Sequence, residues 1–208
     1  MARPIKNLKK IPSRELLLQA ATKLIRTNGY TSTTVDDLCE NAGVSKGTFF
    51  HNFTSKEELA VAAAHRWSVV TSEFFKSAPF HLKKDPLDRV LGYVRFRKEI
   101  LRGDLPEFTC LVGTMAQEVY AKHPEINNAC FESIFQHAET LAKDISEAKK
   151  LYTPKARWTP QSLALHTQAV IQGSFIIAKA GGNVNFASDS IDHLEKYIQL
   201  LFQNSKKK

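Results

Sequence analysis

The stretch Thr33–Phe53, TTVDDLCENAGVSKGTFFHNF, constrains the fold more than any other part of the chain. It reads as two short helices joined by a tight turn. Val35, Leu38 and Cys39 recur one helical turn apart and share a face. Thr34, with Asp37 three residues on, is a candidate capping box opening the first helix. Gly43 supplies the backbone freedom to end that helix and turn. Ser45 is then a natural N-cap for a second, very short helix running to about Phe50. Small and basic residues open this second helix. The layout is that of a helix-turn-helix, whose second helix enters the DNA major groove.

The remaining periodicity is helical almost throughout. Ser13 to Asn28 carries an apolar stripe of Leu16, Leu17, Ala20, Ala21, Leu24 and Ile25, and Gly29 stands in the usual C-cap place. Ser55 with Glu58 predicts a second capping box and a long helix to about Ala78. Pro79 and Pro86 bracket a break. Helices follow over Leu87–Leu101 and, after a turn at Gly103–Pro106, over Phe108–Lys122. Pro124 opens a helix to about Lys150, where a Pro is harmless, with Ile126, Cys130, Ile134, His137, Leu141 and Ile145 on one face. Thr159–Pro160 opens the next, closed by Gly181–Gly182, and Ser190–Phe202 is the last. No alternating strand pattern of useful length and no repeat occurs. The expected fold is all-α: a three-helix helix-turn-helix head on a larger helical ligand-binding and dimerisation body, about nine helices in all. About 53 residues alone could hardly bury a stable core. The natural division is therefore a DNA-binding domain over 1–54 and an effector-binding and dimerisation domain over 55–208.

Composition narrows the partners. The 208 residues carry a formal net charge of +8, which favours anionic partners. Arg3, Lys6, Lys9 and Lys10 crowd the N-terminus, either as a phosphate-contacting arm or as a plain solvated tail, and Lys206, Lys207 and Lys208 close the chain as a solvated tail. Cys39, Cys110 and Cys130 are widely spaced with no CxxC pair, which argues against a disulfide framework or a zinc site and fits a reducing, cytoplasmic setting. No metal site or cofactor is expected. The most apolar late stretch, Ala169–Ala180, is far too short to span a bilayer, so no membrane partner is expected.

From Leu17 to Leu59 the chain resembles, without gaps, the DNA-binding domain of the TetR family of transcriptional regulators. The matching elements are Gly29–Tyr30, Thr33–Thr34, Ala42–Gly43–Val44, Ser45–Lys46–Gly47–Thr48, the run Phe49–Phe53, and Lys56. More loosely, CLVGTMAQE at Cys110–Glu118, and TPQSLALHTQAVIQGSFIIAKAGG with the short apolar helix after it, are similar to body segments of one branch of the family. The resemblance implies a homodimeric regulator, usually a repressor. One recognition helix per subunit would read a pseudo-palindromic operator in double-stranded DNA. A small-molecule effector, of unknown identity, would bind in the body and alter the spacing of the two heads.

Roles on the DNA side follow. Thr34 and Lys56 stand at helix N-termini, where the dipole and N–H groups favour phosphate. Lys46 is long enough to reach a guanine edge. Gly47 lets the helix approach closely, and Thr48 suits a thymine methyl or a phosphate. Ser45 caps and contacts DNA, and His51 and Asn52 are assigned to phosphates. Phe50 stands where the family commonly has Tyr, and Asn52 where it often has His, so Phe50 offers only apolar contact. Cys39 replaces a usual Ala as a small buried hydrophobe.

In the body, aromatic and isolated polar residues on inward faces are the pocket candidates: Trp67, Phe74, Phe96, Met115, Phe131 and Phe135, with His137, His166 and Gln172. For each aromatic the competing role is ordinary core packing. Gly173, Ile177, Ile191, Leu194, Ile198 and Leu201 suggest a four-helix seam, two helices from each subunit. Two other function classes stand beside this reading. An enzyme lacks any HExxH, GxSxG or Walker A signature. An effector-independent architectural DNA-binding protein would have no need of so large a body.

Overall fold

The computed structural model describes residues 11–203. The basic runs at 1–10 and 206–208 lie outside the described residues. Ten α-helices follow one another: α1 Ser13–Asn28, α2 Val35–Ala42, α3 Lys46–Asn52, α4 Lys56–Lys76, α5 Pro86–Glu99, α6 Leu105–Phe108, α7 Leu111–Val119, α8 Pro124–Tyr152, α9 Pro160–Gly181 and α10 Asn185–Gln203, with a 3₁₀ turn at Pro79–Leu82 between α4 and α5. No strand occurs among the described residues. None of these helices is long and apolar enough to cross a membrane.

The extra helix is α6, which forms where a plain turn was expected. Asp104 and Glu107 make a capping box around it, and Pro106 fits its first turn. Thr109 is then extended, and Cys110 caps α7 by accepting the Gly113 N–H at Sγ, so α7 starts at Leu111 and not at Phe108. Helix α10 starts five residues before the expected Ser190. The Ser190 hydroxyl does not cap; it donates to the Phe186 carbonyl one turn back, inside the helix.

Two cores hold the chain together. One gathers the head and part of the body: Leu17, Phe49, Phe53 and Leu59 pack with Leu111 and Met115 of α7 and Ile126 of α8. The other joins α5, the later half of α8, α9 and α10 through Val90, Ile145, Ile171, Ile191 and Ile198. Helix α8 threads both, giving Ile126 and Cys130 to the first and Leu141 and Ile145 to the second. Helix α4 does the same, with Leu59 in the first and Phe75 in the second. The boundary expected at 54/55 therefore falls within a continuous apolar core.

This packing corrects part of the expected dimer seam. Ile191, Leu194 and Ile198 are 1%, 3% and 0% exposed, inside their own subunit, because α10 needs that stripe to cover α9 and α5. Leu201 is half-buried on the same cluster. Gly173 and Ile177 do lie on the outer face of the α9–α10 pair, with Ile176, Tyr197 and Leu200 exposed beside them.

Candidate nucleic-acid interface and interior cavity

The head is held by short-range polar contacts that the sequence dictates. Thr34 Oγ1 accepts the Asp37 N–H at 3.2 Å, and Asp37 Oδ2 accepts the Thr34 N–H at 2.8 Å, completing the capping box of α2. These bonds hold the Asp37 carboxyl below the usual carboxylate range. Gly43 ends α2 in the left-handed region at φ 64°. Ser45 Oγ accepts the Thr48 N–H at 3.1 Å and caps α3. Phe49 and Phe53 sink into the core, which leaves Lys46, Gly47, Phe50 and His51 on the outer face. Phe50 is 57% exposed, touching Phe49 edge-on at 5.1 Å between centroids. A Cβ at Gly47 would meet only Ser45 Oγ, at 3.7 Å. Nothing within the protein demands a glycine there. Lys46 pairs with Asp36 at 2.7 Å while both stay largely exposed, a weak contact that an incoming anion can replace.

Head and body are pinned at the C-terminal end of α1. Glu118 of α7 accepts the N–H groups of Tyr30 and Thr31 at 3.0 and 2.8 Å. Arg26 donates from Nε to the Thr109 carbonyl at 2.7 Å and from its terminal nitrogen to the Glu107 carbonyl. Lys179 of α9 donates to the Arg26 carbonyl at 2.9 Å. At the other end of α1, Arg66 of α4 grips Glu15 with three hydrogen bonds.

Between the two cores lies a cavity of about 240 Å³. Its walls include Arg26 of α1, Trp67, Phe74 and Phe75 of α4, Arg97 of α5, His137 of α8, and Gln168, Gln172 and Phe175 of α9. Gln168 Nε2 donates to Tyr93 Oη at 2.8 Å, and Tyr93 Oη is hydrogen-bonded to His137 Nε2 at 2.9 Å. Burial, reinforced by the Arg97 charge, pulls the His137 pKa down to about 3, so the ring is neutral near pH 7.

Residues 17–63 match the family model described as "Bacterial regulatory proteins, tetR family". The regulator LmrA of Bacillus subtilis is 25% identical over 179 residues, covering 82% of this chain and 88% of its own length. AcuR of Cereibacter sphaeroides is 24% identical, covering 80% and 76%. The helix-turn-helix head, residues 17–63, is that of the TetR family. The chain is a DNA-binding transcriptional regulator and not an enzyme. The fold agrees: a TetR regulatory protein from Rhodobacter sphaeroides superposes with a TM-score of 0.78 at 22% identity, over 92% of this chain and 100% of that one. A TetR regulator from Chloroflexus aurantiacus gives 0.78 at 22% identity, over 90% and 94%.

Within this TetR-family head, two expected DNA contacts are otherwise engaged. Lys56 Nζ donates to the carbonyls of Tyr30 and Thr33 at 3.0 and 2.9 Å and sits 4.3 Å from the Tyr30 ring centroid. It clamps the α1–α2 loop to the start of α4, with one N–H left over. Asn52 Nδ2 turns inward to the Thr48 carbonyl at 2.7 Å and Ser13 Oγ at 3.2 Å. The box expected at Ser55–Glu58 is half-made. Ser55 accepts the Glu58 N–H, but the Glu58 carboxylate reaches back to Thr54 instead.

Of the pocket candidates, Trp67, Phe74, His137 and Gln172 line the cavity. Met115 is wholly buried beneath the head. Phe96 packs against Phe74 and Phe75 outside the cavity wall. Phe131 and Phe135 stack on each other at 4.0 Å on the exposed side of α8. His166 stacks on Tyr197 at 5.1 Å on the outer α9–α10 face. Sequence reasoning missed Arg97, although its spacing from Val90 and Val94 placed it on an apolar stripe.

Two outcomes follow from these contacts. Lys56→Met loses two hydrogen bonds from a charged donor and lowers folding stability by about 1–3 kcal/mol. A shifted urea midpoint shows this; an unchanged midpoint leaves Lys56 with no role but phosphate. For His137, the unfolded ring binds a proton below about pH 6.5 that the folded ring refuses until about pH 3. The unfolded state is thus favoured as pH falls through that window. The stability advantage of the wild type over His137→Gln should therefore shrink from pH 7 to pH 4 in parallel denaturation series. An advantage that is constant across the series contradicts a buried neutral His137.

Proposed function

We propose that the chain is an operator-specific repressor, a cytoplasmic homodimer released from DNA by a small molecule bound in the interior cavity. The observation that carries this reading is the composition of the cavity wall. Arg26 comes from the head, Trp67, Thr71, Phe74 and Phe75 from the helix leading out of it, and the rest from the later helices and turns of the body. Arg26 also makes two of the bonds that pin head to body. A ligand there meets the joint itself, and the conformational change it requires is one of head against body. The division into 1–54 and 55–208 is then one of roles across a shared core.

On the DNA side, Lys46 leaves Asp36 to read a guanine edge. Gly47 admits the backbone to the groove, and Phe50 offers apolar contact to a thymine methyl. Ser45 and Thr48 contact DNA beside it. Thr34 and His51 hold phosphates, and the third N–H of Lys56 adds to them. The subunits join through the outer α9–α10 face, where Gly173 has nothing within 4 Å of a Cβ position and Ile177 is exposed. Two heads then face one side of a pseudo-palindromic operator, with half-sites about 34–36 Å apart or a multiple of that.

Selection of bound sequences from a random duplex pool tests the whole reading. It should recover a pseudo-palindrome bound on the order of 10³-fold or more tighter than scrambled DNA. A ratio near one means an architectural protein. Lys46→Ala should weaken binding to the selected site by about 1–3 kcal/mol and relax its sequence preference. Equal losses on selected and scrambled duplexes would sink base readout by Lys46. Ile177→Glu should yield monomers in sedimentation velocity and lose operator binding; an intact dimer moves the seam elsewhere.

A further inference from the structure

The cavity holds a buried cation without a counter-ion. Arg97 is 8% exposed, no carboxylate among the described residues lies within ion-pair distance of it, and its Nε has no hydrogen-bond partner. Its guanidinium faces the rings of Phe75 and Phe175 at 5.3 and 5.7 Å. Two ring faces attract a cation but give none of its N–H groups an acceptor. A buried guanidinium normally carries a partner, since an unpaired one leaves its desolvation uncompensated.

The other polar groups of the wall do not supply that partner. The Arg26 guanidinium is a second cation, engaged by the Glu107 and Thr109 carbonyls. Glu107 is the one carboxylate among the lining residues, but it is exposed and accepts the Asp104 N–H instead. His137 is neutral and hydrogen-bonded to Tyr93, and Gln168 is tied to the same hydroxyl. The cavity is positive on one wall and apolar over Trp67, Phe74, Phe108 and Ile134. At about 240 Å³ it exceeds the roughly 150 Å³ of an apolar cavity that binds benzene, which leaves room for one ring or a short hydrocarbon chain.

We propose that the effector is a small organic carboxylate, one aromatic ring or short alkyl chain bearing a single negative charge, with Arg97 as its fork-shaped anchor. This rests on the effector reading above and names the chemistry of the ligand. A planar carboxylate satisfies two guanidinium N–H groups at once, and the hydrocarbon part fills the aromatic wall.

The test titrates the full chain with benzoate and hexanoate, and with their uncharged counterparts benzamide and hexanamide. Trp67 fluorescence and thermal shift serve as readouts. At least one acid should bind tenfold or more tighter than its amide, and Arg97→Gln should lose that preference while keeping its fold. Arg97→Lys, which retains charge but not the fork, should bind the acids with intermediate affinity. Amides binding as well as acids would overturn the carboxylate inference and leave a cavity effector standing. Acid preference persisting in Arg97→Gln would overturn the anchor. If neither acids nor amides bind, the carboxylate inference falls; if in addition a broad neutral and cationic panel leaves the selected operator complex intact, the effector reading falls too.

Discussion

The C-terminal end of α1 is where head and body become one object. A helix end exposes carbonyls, and the loop after it exposes N–H groups. Here the body supplies the partners. Glu118 takes the amides of Tyr30 and Thr31, and Lys179 takes the Arg26 carbonyl. Arg26 in turn takes two carbonyls beside α6. Most of these groups are partly buried, so breaking them without replacement is costly. Beneath them, Leu111, Met115 and Ile126 continue the apolar core of the helix-turn-helix. The head does not pivot freely on a linker. Its orientation is a property of the body packed behind it.

Local chemistry was legible in the sequence because a cap is decided by a few consecutive residues. Thr34 with Asp37, Gly43, and Ser45 with Thr48 stand where their types require. The failures arise where two local options compete. Ser190 has the look of a cap, yet its hydroxyl is satisfied within the helix by the Phe186 carbonyl. Glu58 has two neighbours with free N–H groups and binds Thr54 instead of Ser55. Lys56 resembles a phosphate ligand by position, but two carbonyls brought from the α1–α2 loop already accept two of its N–H groups. Those carbonyls are 26 and 23 residues away, beyond the reach of a local pattern.

The body was harder to read for a different reason. An amphipathic helix announces that it has an apolar face, but not what covers it. Ile191, Leu194 and Ile198 make a regular stripe that suits a subunit seam and an interior alike. The presence of α5 across from α10 decides for the interior. Phe131 and Phe135 lie four apart on α8 and face outward, because the stripe through Cys130, Leu141 and Ile145 already serves both cores. Arg97 shows the converse. A charge at an apolar register position is a local conflict, and such conflicts in an otherwise consistent sequence mark function or strain.

Those features bear on how a ligand could be felt at the DNA. A ligand shifts an equilibrium only by its difference in affinity between two states, whatever its total affinity. On the reading proposed above, one place in the interior cavity would meet that condition above all. The Arg26 guanidinium lies 5.0 Å from the Trp67 ring centroid while bonding the carbonyls of Glu107 and Thr109. A ligand that displaces Trp67, or draws on Arg26 in addition to Arg97, loosens the same contacts that set the head against the body. Couplings of this kind amount to about 1–3 kcal/mol, or roughly 5- to 150-fold in affinity. A dimer that needs both half-sites in register amplifies such a difference, because one misplaced head forfeits contacts at its whole half-site. The joint at Arg26 can therefore be modest in energy and still decide whether an operator is occupied.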